Sequence, residues 1–227
     1  MASSPDRASG RLGAAEGATT AIPPDHSPDV TWQRSVLERE DRWRALGHRG
    51  ATVWLTGLPA AGKSTIGAAL EAELVRGGQA AYRLDGDNLR HGLNGNLGFS
   101  PEDRSENTRR TGEVAKLFAD AGVVAIVTLI SPFARDREMA RRVHEDADLP
   151  FFEVYVNTPL LECERRDPKG LYRRAREGDL SGMTGVDDPY EPPEAPEVDL
   201  EPQPVPSAVE RILEALRGVG ILAAAQR

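Results

Sequence analysis

The chain has 227 residues, with 36 acidic side chains against 28 Lys and Arg, a formal net charge of −8 and an isoelectric point near 5.1. That balance excludes a general nucleic-acid binder, which needs a basic face to displace counterions. With 39% hydrophobic residues it can bury one full core and little more. The single cysteine, Cys163, excludes an internal disulfide, and no run reaches the roughly 18 apolar residues of a membrane span, so a soluble, cytoplasmic protein with no membrane partner is expected.

Residues 1–29, rich in Ala, Ser, Gly and Pro, lack the apolar stretch of a secretory signal, and Asp6, Glu16, Asp25 and Asp29 argue against a transit peptide. They are expected to form a disordered tail. Over 31–46, Trp32, Val36, Trp43 and Leu46 recur at helical spacing, and Gly47 ends the pattern. Residues 51–56 (ATVWLT) form an apolar strand, and 57–65 (GLPAAGKST) form a complete GxxxxGK[ST] phosphate loop before a helix with Ile66, Leu70, Leu74 and Val75 on one face. A second strand is predicted at 80–84. A long helix over 101–122 is N-capped by Ser100, with Asp103 at its third position. The β-branched run 123–130 reads as a strand covered on both faces.

A helix at 134–145, a strand at 151–156 and a helix at 159–166 follow, with Cys163 as a helix-packing residue. Residues 167–205 break the pattern with charges, glycines and prolines, and a helix returns at 207–216. Strands alternating with helices imply parallel pairing through right-handed crossovers. The fold class is therefore three-layer α/β of the P-loop NTPase type. It has a mostly parallel central sheet, a mobile lid at about 167–185, one domain over 30–220 and a C-terminal tail at 221–227.

In the phosphate loop, successive backbone N–H groups of Gly57, Leu58, Pro59, Ala60, Ala61 and Gly62 curl around phosphates, except at Pro59, which has none. Lys63 meets the β and γ phosphates of ATP, Ser64 holds Mg2+, and Thr65 follows at the start of the helix. Such a loop serves motors, switches and kinases alike. The end of the second strand carries Asp85, Gly86, Asp87, Asn88 and Arg90, so carboxylates and a guanidinium can face the γ phosphate. The 123–130 strand ends in Leu129, Ile130, Ser131 and Pro132, with no acid of the kind a hydrolytic motor uses, and no NKxD guanine-reading motif occurs. These features favour phosphoryl transfer to an acceptor hydroxyl. Arg165, Arg166, Lys169, Arg173, Arg174 and Arg176 crowd the lid. A solvated charged face is the plain explanation; cations closing on a charged transition state are the functional one.

The strings DGDNLRHGLNGNLGFSPEDRSENTRR at 85–110, LISP at 129–132, RDPKGLYRRAREG at 166–178 and TGVDDPYEPPEAPE at 184–197 resemble the adenylylsulfate kinases, over about 30–220. The resemblance implies transfer of a phosphoryl group from ATP to the 3′-hydroxyl of adenosine 5′-phosphosulfate. It also implies acceptor contacts from Asp87, Asn88, Leu89, Arg90, Phe99, Arg104, Asn107, Ile130, Ser131, Lys169, Gly182 and Met183. Asp87 is the candidate for orienting or deprotonating the hydroxyl, with a possible part in metal binding. Ser131 matches a serine for which the family carries the suggestion of a phosphoserine intermediate, but direct in-line transfer is preferred, because no base stands beside it in sequence. Met183 stands where the family has a phenylalanine that sandwiches the acceptor's adenine against the aromatic matched by Phe99. Asn157 replaces an acid common in the family. A homodimer is the expected assembly. The competing readings are another small-molecule kinase, such as a nucleoside or sugar kinase, and a nucleotide-binding module without turnover; acceptor competition separates the first, and the intact loop, Asp87 and Lys169 argue against the second.

Overall fold

A computed structural model describes residue 31, residue 33 and residues 35–223. The tail expected at 1–29, and Trp32, lie outside the described residues. The elements belong to the unit formed by residues 34–227.

Five strands make one sheet: β1 (Ala51–Thr56), β2 (Ala81–Asp85), β3 (Val124–Thr128), β4 (Phe151–Val156) and β5 (Val198–Leu200). Their order is β2-β3-β1-β4-β5, and every pairing is parallel, with Val53 opposite both Ile126 and Phe152. β1 and β3 are buried along their whole length, as strands covered on both faces must be. Successive side chains alternate between two cores. Val53, Leu55, Val124 and Ile126 face one core together with Ile66, Leu70 and Leu74 of α2 (Lys63–Arg76) and Ile212 and Leu216 of the C-terminal helix, Val205–Gly218. Trp54, Ala125 and Val127 face the other, with Ala115 and Ala140 from the long helix Pro101–Asp120 and the helix Ala134–Glu145. These are the three layers. Gly67 lets α2 lie close on the sheet, since a Cβ there would stand 2.5 Å from Thr128 Cγ2.

The first helix, α1 (Arg39–Leu46), is shorter than the periodicity predicts. Among the described residues of the expected face, Val36 is 99% exposed, Leu46 is exposed and Trp43 is buried, so residues 35–38 have no surface to pack on; helices in proteins depend on such packing. Val75 likewise lies on the exposed side of α2. After β2 comes a single turn, α3 (Gly86–Leu89), then α4 (Pro101–Asp120), whose N-cap Ser100 accepts a hydrogen bond from the Asp103 amide as predicted. α5 (Ala134–Glu145) and α6 (Leu160–Arg166) match expectation, and Cys163 is buried in α6.

The predicted irregular stretch 167–205 contains two elements that the sequence hides: α7 (Leu171–Arg176) and the three-residue β5. Within the expected lid, 167–185, Tyr172 and Met183 are both buried in the main core in this conformation. The chain closes with α8 (Val205–Gly218). Ile221, assigned by sequence to the C-terminal tail, is buried in the main core, and Leu222 packs against it.

Candidate active site

β1 ends at Thr56, and the chain then turns back over the carboxyl edge of the sheet. Gly57 has φ 149°, and a Cβ on it would stand 2.7 Å from the Val156 carbonyl oxygen. Ala60 (φ 60°) and Gly62 (φ 112°) complete the curl with left-handed backbone, delivering the chain into α2 at Lys63. The Lys63 ammonium is buried, donating to the carbonyls of Gly57 (2.8 Å) and Leu58 (2.7 Å). Burial lowers its pKa to about 8, opposed by the fields of Cys163, Asp85 and Asp87. The Ala61 carbonyl accepts from Thr158 Oγ1 at 2.9 Å and Arg166 Nη1 at 3.2 Å. Ser64 and Thr65 lie on the exposed side of α2's first turn.

The edge of β2 comes to the same place. Burial pushes the Asp85 carboxyl up, but hydrogen bonds from Ser64, Thr128 and the Asp87 amide, with the Arg83 guanidinium, outweigh it and hold the group below the usual carboxylate range. Thr128 Oγ1 donates at 2.9 Å and Arg83 Nη1 at 2.5 Å. Asp87, to which the sequence assigns a possible metal role, pairs with Lys169, and Asp85 lies beside Ser64. Asp85 is the last residue of β2. A hydroxyl and a carboxylate side by side are the hard oxygen donors that magnesium takes.

The expected acceptor residues fall on three elements. Asp87, Asn88 and Leu89 form α3, with Arg90 as its C-cap. Arg90 lies over the Phe99 ring at 4.2 Å and Arg104 at 5.8 Å, a pair of cations about an aromatic that is 65% exposed. Burial, then repulsion from Arg104, lowers the Arg90 pKa. Arg104 ties the Phe99 carbonyl (3.0 Å) to the Gly182 carbonyl (2.8 Å). One turn on, Asn107 accepts from Asn94 Nδ2 at 2.9 Å.

Met183 is not brought against Phe99 as the other half of a sandwich: its side chain is 5% exposed and belongs to the main core. The reason lies in its backbone. The Gly182 and Met183 amides donate to Asp187 at 2.8 and 2.7 Å, closing a tight turn that directs Met183 inward.

Ile130 and Ser131 follow β3. The Ile130 carbonyl accepts from Thr56 Oγ1 at 2.7 Å. Ser131, with φ 39°, is buried; its Oγ accepts from Trp54 Nε1 at 3.1 Å and its carbonyl from Arg137 Nη1 at 2.8 Å. An indole N–H only donates, so this partner takes up no proton from the serine. Of the six lid cations, Arg166 reaches the loop and Lys169 reaches Asp87, whereas Arg165 and Arg176 pair with Glu162 and Glu164.

A hollow of about 240 Å³ adjoins the loop, lined by Gly62, Thr65, Thr158, Arg166, Gln203 and Val205 among others. Its far wall comes from the proline-rich stretch before α8. An open cleft of about 530 Å³ lies between Leu58, Tyr155 and residues 185–190; Leu58 is its only expected site residue.

The phosphate cradle, the carboxylates and the arginine-flanked aromatic share the carboxyl edge of one all-parallel sheet, where α/β folds bind ligands. That layout defines a phosphate-loop kinase acting on a small anionic acceptor. The chain belongs to the adenylylsulphate kinase family, whose family model matches residues 49–201. It is 50% identical over 193 residues to the adenylyl-sulfate kinase of Staphylococcus epidermidis, covering 84% of this chain and 96% of that one. It is also 50% identical over 207 residues to that of Penicillium chrysogenum, covering 87% and 98%. The Mycobacterium tuberculosis APS kinase, solved in complex with AMPPNP and APS, superposes with a TM-score of 0.73 at 50% identity over 75% of this chain and 99% of that one.

Proposed function

We propose that this chain transfers the γ-phosphoryl group of ATP to the 3′-hydroxyl of adenosine 5′-phosphosulfate, giving ADP and 3′-phosphoadenosine 5′-phosphosulfate in sulfate assimilation. The observation that carries this reading is the clustering of Asp85, Asp87 and Lys169 about the buried Lys63.

The loop amides hold the triphosphate, and Lys63 neutralises charge at the β and γ phosphates. Asp87 accepts the proton of the 3′-hydroxyl as its oxygen bonds to the γ phosphorus and the bond to the β–γ bridging oxygen breaks. Lys169 holds Asp87 at the acceptor side until substrate arrives. Arg90 and Arg104 bind the phosphosulfate, and the exposed face of Phe99 stacks on the adenine. Asn88, Leu89, Asn107, Ile130, Ser131 and Gly182 line the acceptor, with Ser131 orienting rather than carrying the phosphoryl group. Ser64 and Asp85 supply oxygens that fit magnesium, which when bound offsets phosphate charge. A cytoplasmic setting and a homodimer belong to the same reading, and sedimentation equilibrium tests the second.

The test is ADP release with adenosine 5′-phosphosulfate as sole acceptor, beside nucleosides and sugars as competitors. Turnover is expected with the first alone. Lys63→Ala and Asp87→Asn are each expected to lose about a hundredfold or more in rate. Absence of ADP release, or equal use of a sugar, refutes the assignment.

A further inference from the structure

In a trans peptide the carbonyl and the following N–H point in opposite directions. A phosphate loop therefore presents its amides inward only as firmly as its carbonyls are held outward. Lys63 holds two of these carbonyls from within the loop's own chain. The Pro59 carbonyl is held from much farther away: Tyr172 of α7, 113 positions along, donates its hydroxyl at 3.0 Å. That peptide carries the N–H of Ala60, whose φ of 60° is a costly conformation for a residue with a side chain. Left to itself, this peptide has a reason to flip.

A second grip lies beside this anchor, behind the loop. Tyr172 is 2% exposed and Cys163, in α6, is fully buried. The thiol donates to the Thr158 carbonyl at 3.5 Å, and Thr158 Oγ1 donates to the Ala61 carbonyl at 2.9 Å. Pro59 and Ala61 are thus both gripped from the segment 158–172, which fixes the amides of Ala60 and Gly62.

We propose that Tyr172 is a positioning residue for the nucleotide: through the Pro59 carbonyl its hydroxyl sets the direction in which the Ala60 amide meets the phosphates. α7 and the phosphate loop then move as one body. This rests on residues 57–65 being the phosphate cradle and not on the identity of the acceptor.

The experiment titrates the full chain with ADP alone and measures KM for ATP and for acceptor in Tyr172→Phe, which removes one oxygen and keeps the ring. ADP affinity is expected to fall about three- to tenfold, the range for one hydrogen bond, with KM for ATP rising in parallel and KM for acceptor unchanged at saturating ATP. Thr158→Val, which removes the grip on the Ala61 carbonyl, is expected to show the same split. An ADP Kd within about twofold of the parent in a Tyr172→Phe protein with an unchanged melting temperature overturns the proposal. So does an equal rise in both KM values, which marks a merely structural role. A parent chain that binds ADP but does not turn over adenosine 5′-phosphosulfate refutes the proposed function and leaves this inference standing.

Discussion

Arg137→Met tests how the acceptor loop is held. The Arg137 guanidinium, 3% exposed, donates to Glu153 at 2.6 Å, to the Ser131 carbonyl at 2.8 Å and to the Glu191 carbonyl at 2.7 Å. Methionine keeps much of the apolar stem but removes all three bonds. Glu153, itself 12% exposed, is left with Arg141 at 3.7 Å. Stranding a buried carboxylate costs about 3–5 kcal/mol, and the orphaned carbonyls add about 1 kcal/mol each where water does not reach them. Because Arg141 still faces Glu153, the low end of the first figure applies, about 3 kcal/mol. Because Thr56 Oγ1 still reaches the Ser131 carbonyl, only one carbonyl is orphaned, so we expect a loss of about 4 kcal/mol. In urea, with a slope of about 2 kcal/mol/M, that moves the midpoint by about 2 M at constant slope. Glu153→Gln in the same background is expected to recover part of the loss, because the stranded charge is gone. KM for acceptor is expected to rise more than KM for ATP, since Ser131 loses the anchor of its strained backbone. A loss below about 1 kcal/mol at unchanged slope refutes this argument.

His144 is fully buried between Thr52 Oγ1 (2.7 Å) and the Ala140 carbonyl (2.8 Å), and burial lowers its pKa to about 4. The unfolded chain therefore takes up a proton first as pH falls through 6.5, so stability declines from there to about pH 4, by up to about 3 kcal/mol. His144→Gln is expected to flatten this window in urea titrations, and an unchanged pH slope counts against it. Met183→Phe, on the sequence reading, restores a family sandwich and tightens acceptor binding. With the side chain buried in the core, we expect instead a destabilisation of about 1–3 kcal/mol from overpacking. A tighter acceptor Kd without stability loss would reinstate the sandwich.

What was legible in the sequence was what local chemistry enforces. Ser100 and Pro101 announce the start of α4, the glycines of 57–62 announce the cradle, and the β-branched run at 123–130 announces a doubly covered strand. What was illegible depends on distant partners. β5 has only three residues and exists because β4 offers it an edge. The grip of Trp54 on Ser131 spans 77 positions and that of Arg137 joins three segments. That Ser64 neighbours Asp85 while Asp87 pairs with Lys169 is likewise not written in their adjacency in sequence. Nor does a phenylalanine in relatives settle where Met183 points once Asp187 has closed its turn.

The strand order has a cost during synthesis. β1 lies between β3 and β4, so when ATVWLT leaves the ribosome neither of its neighbours has been made. The most buried strand of the finished protein is thus the one that waits longest without a hydrogen-bonding mate, and such exposed edges invite self-association. Translation stalled before residue 124 would release a chain whose aggregation is governed by timing, however stable the completed enzyme.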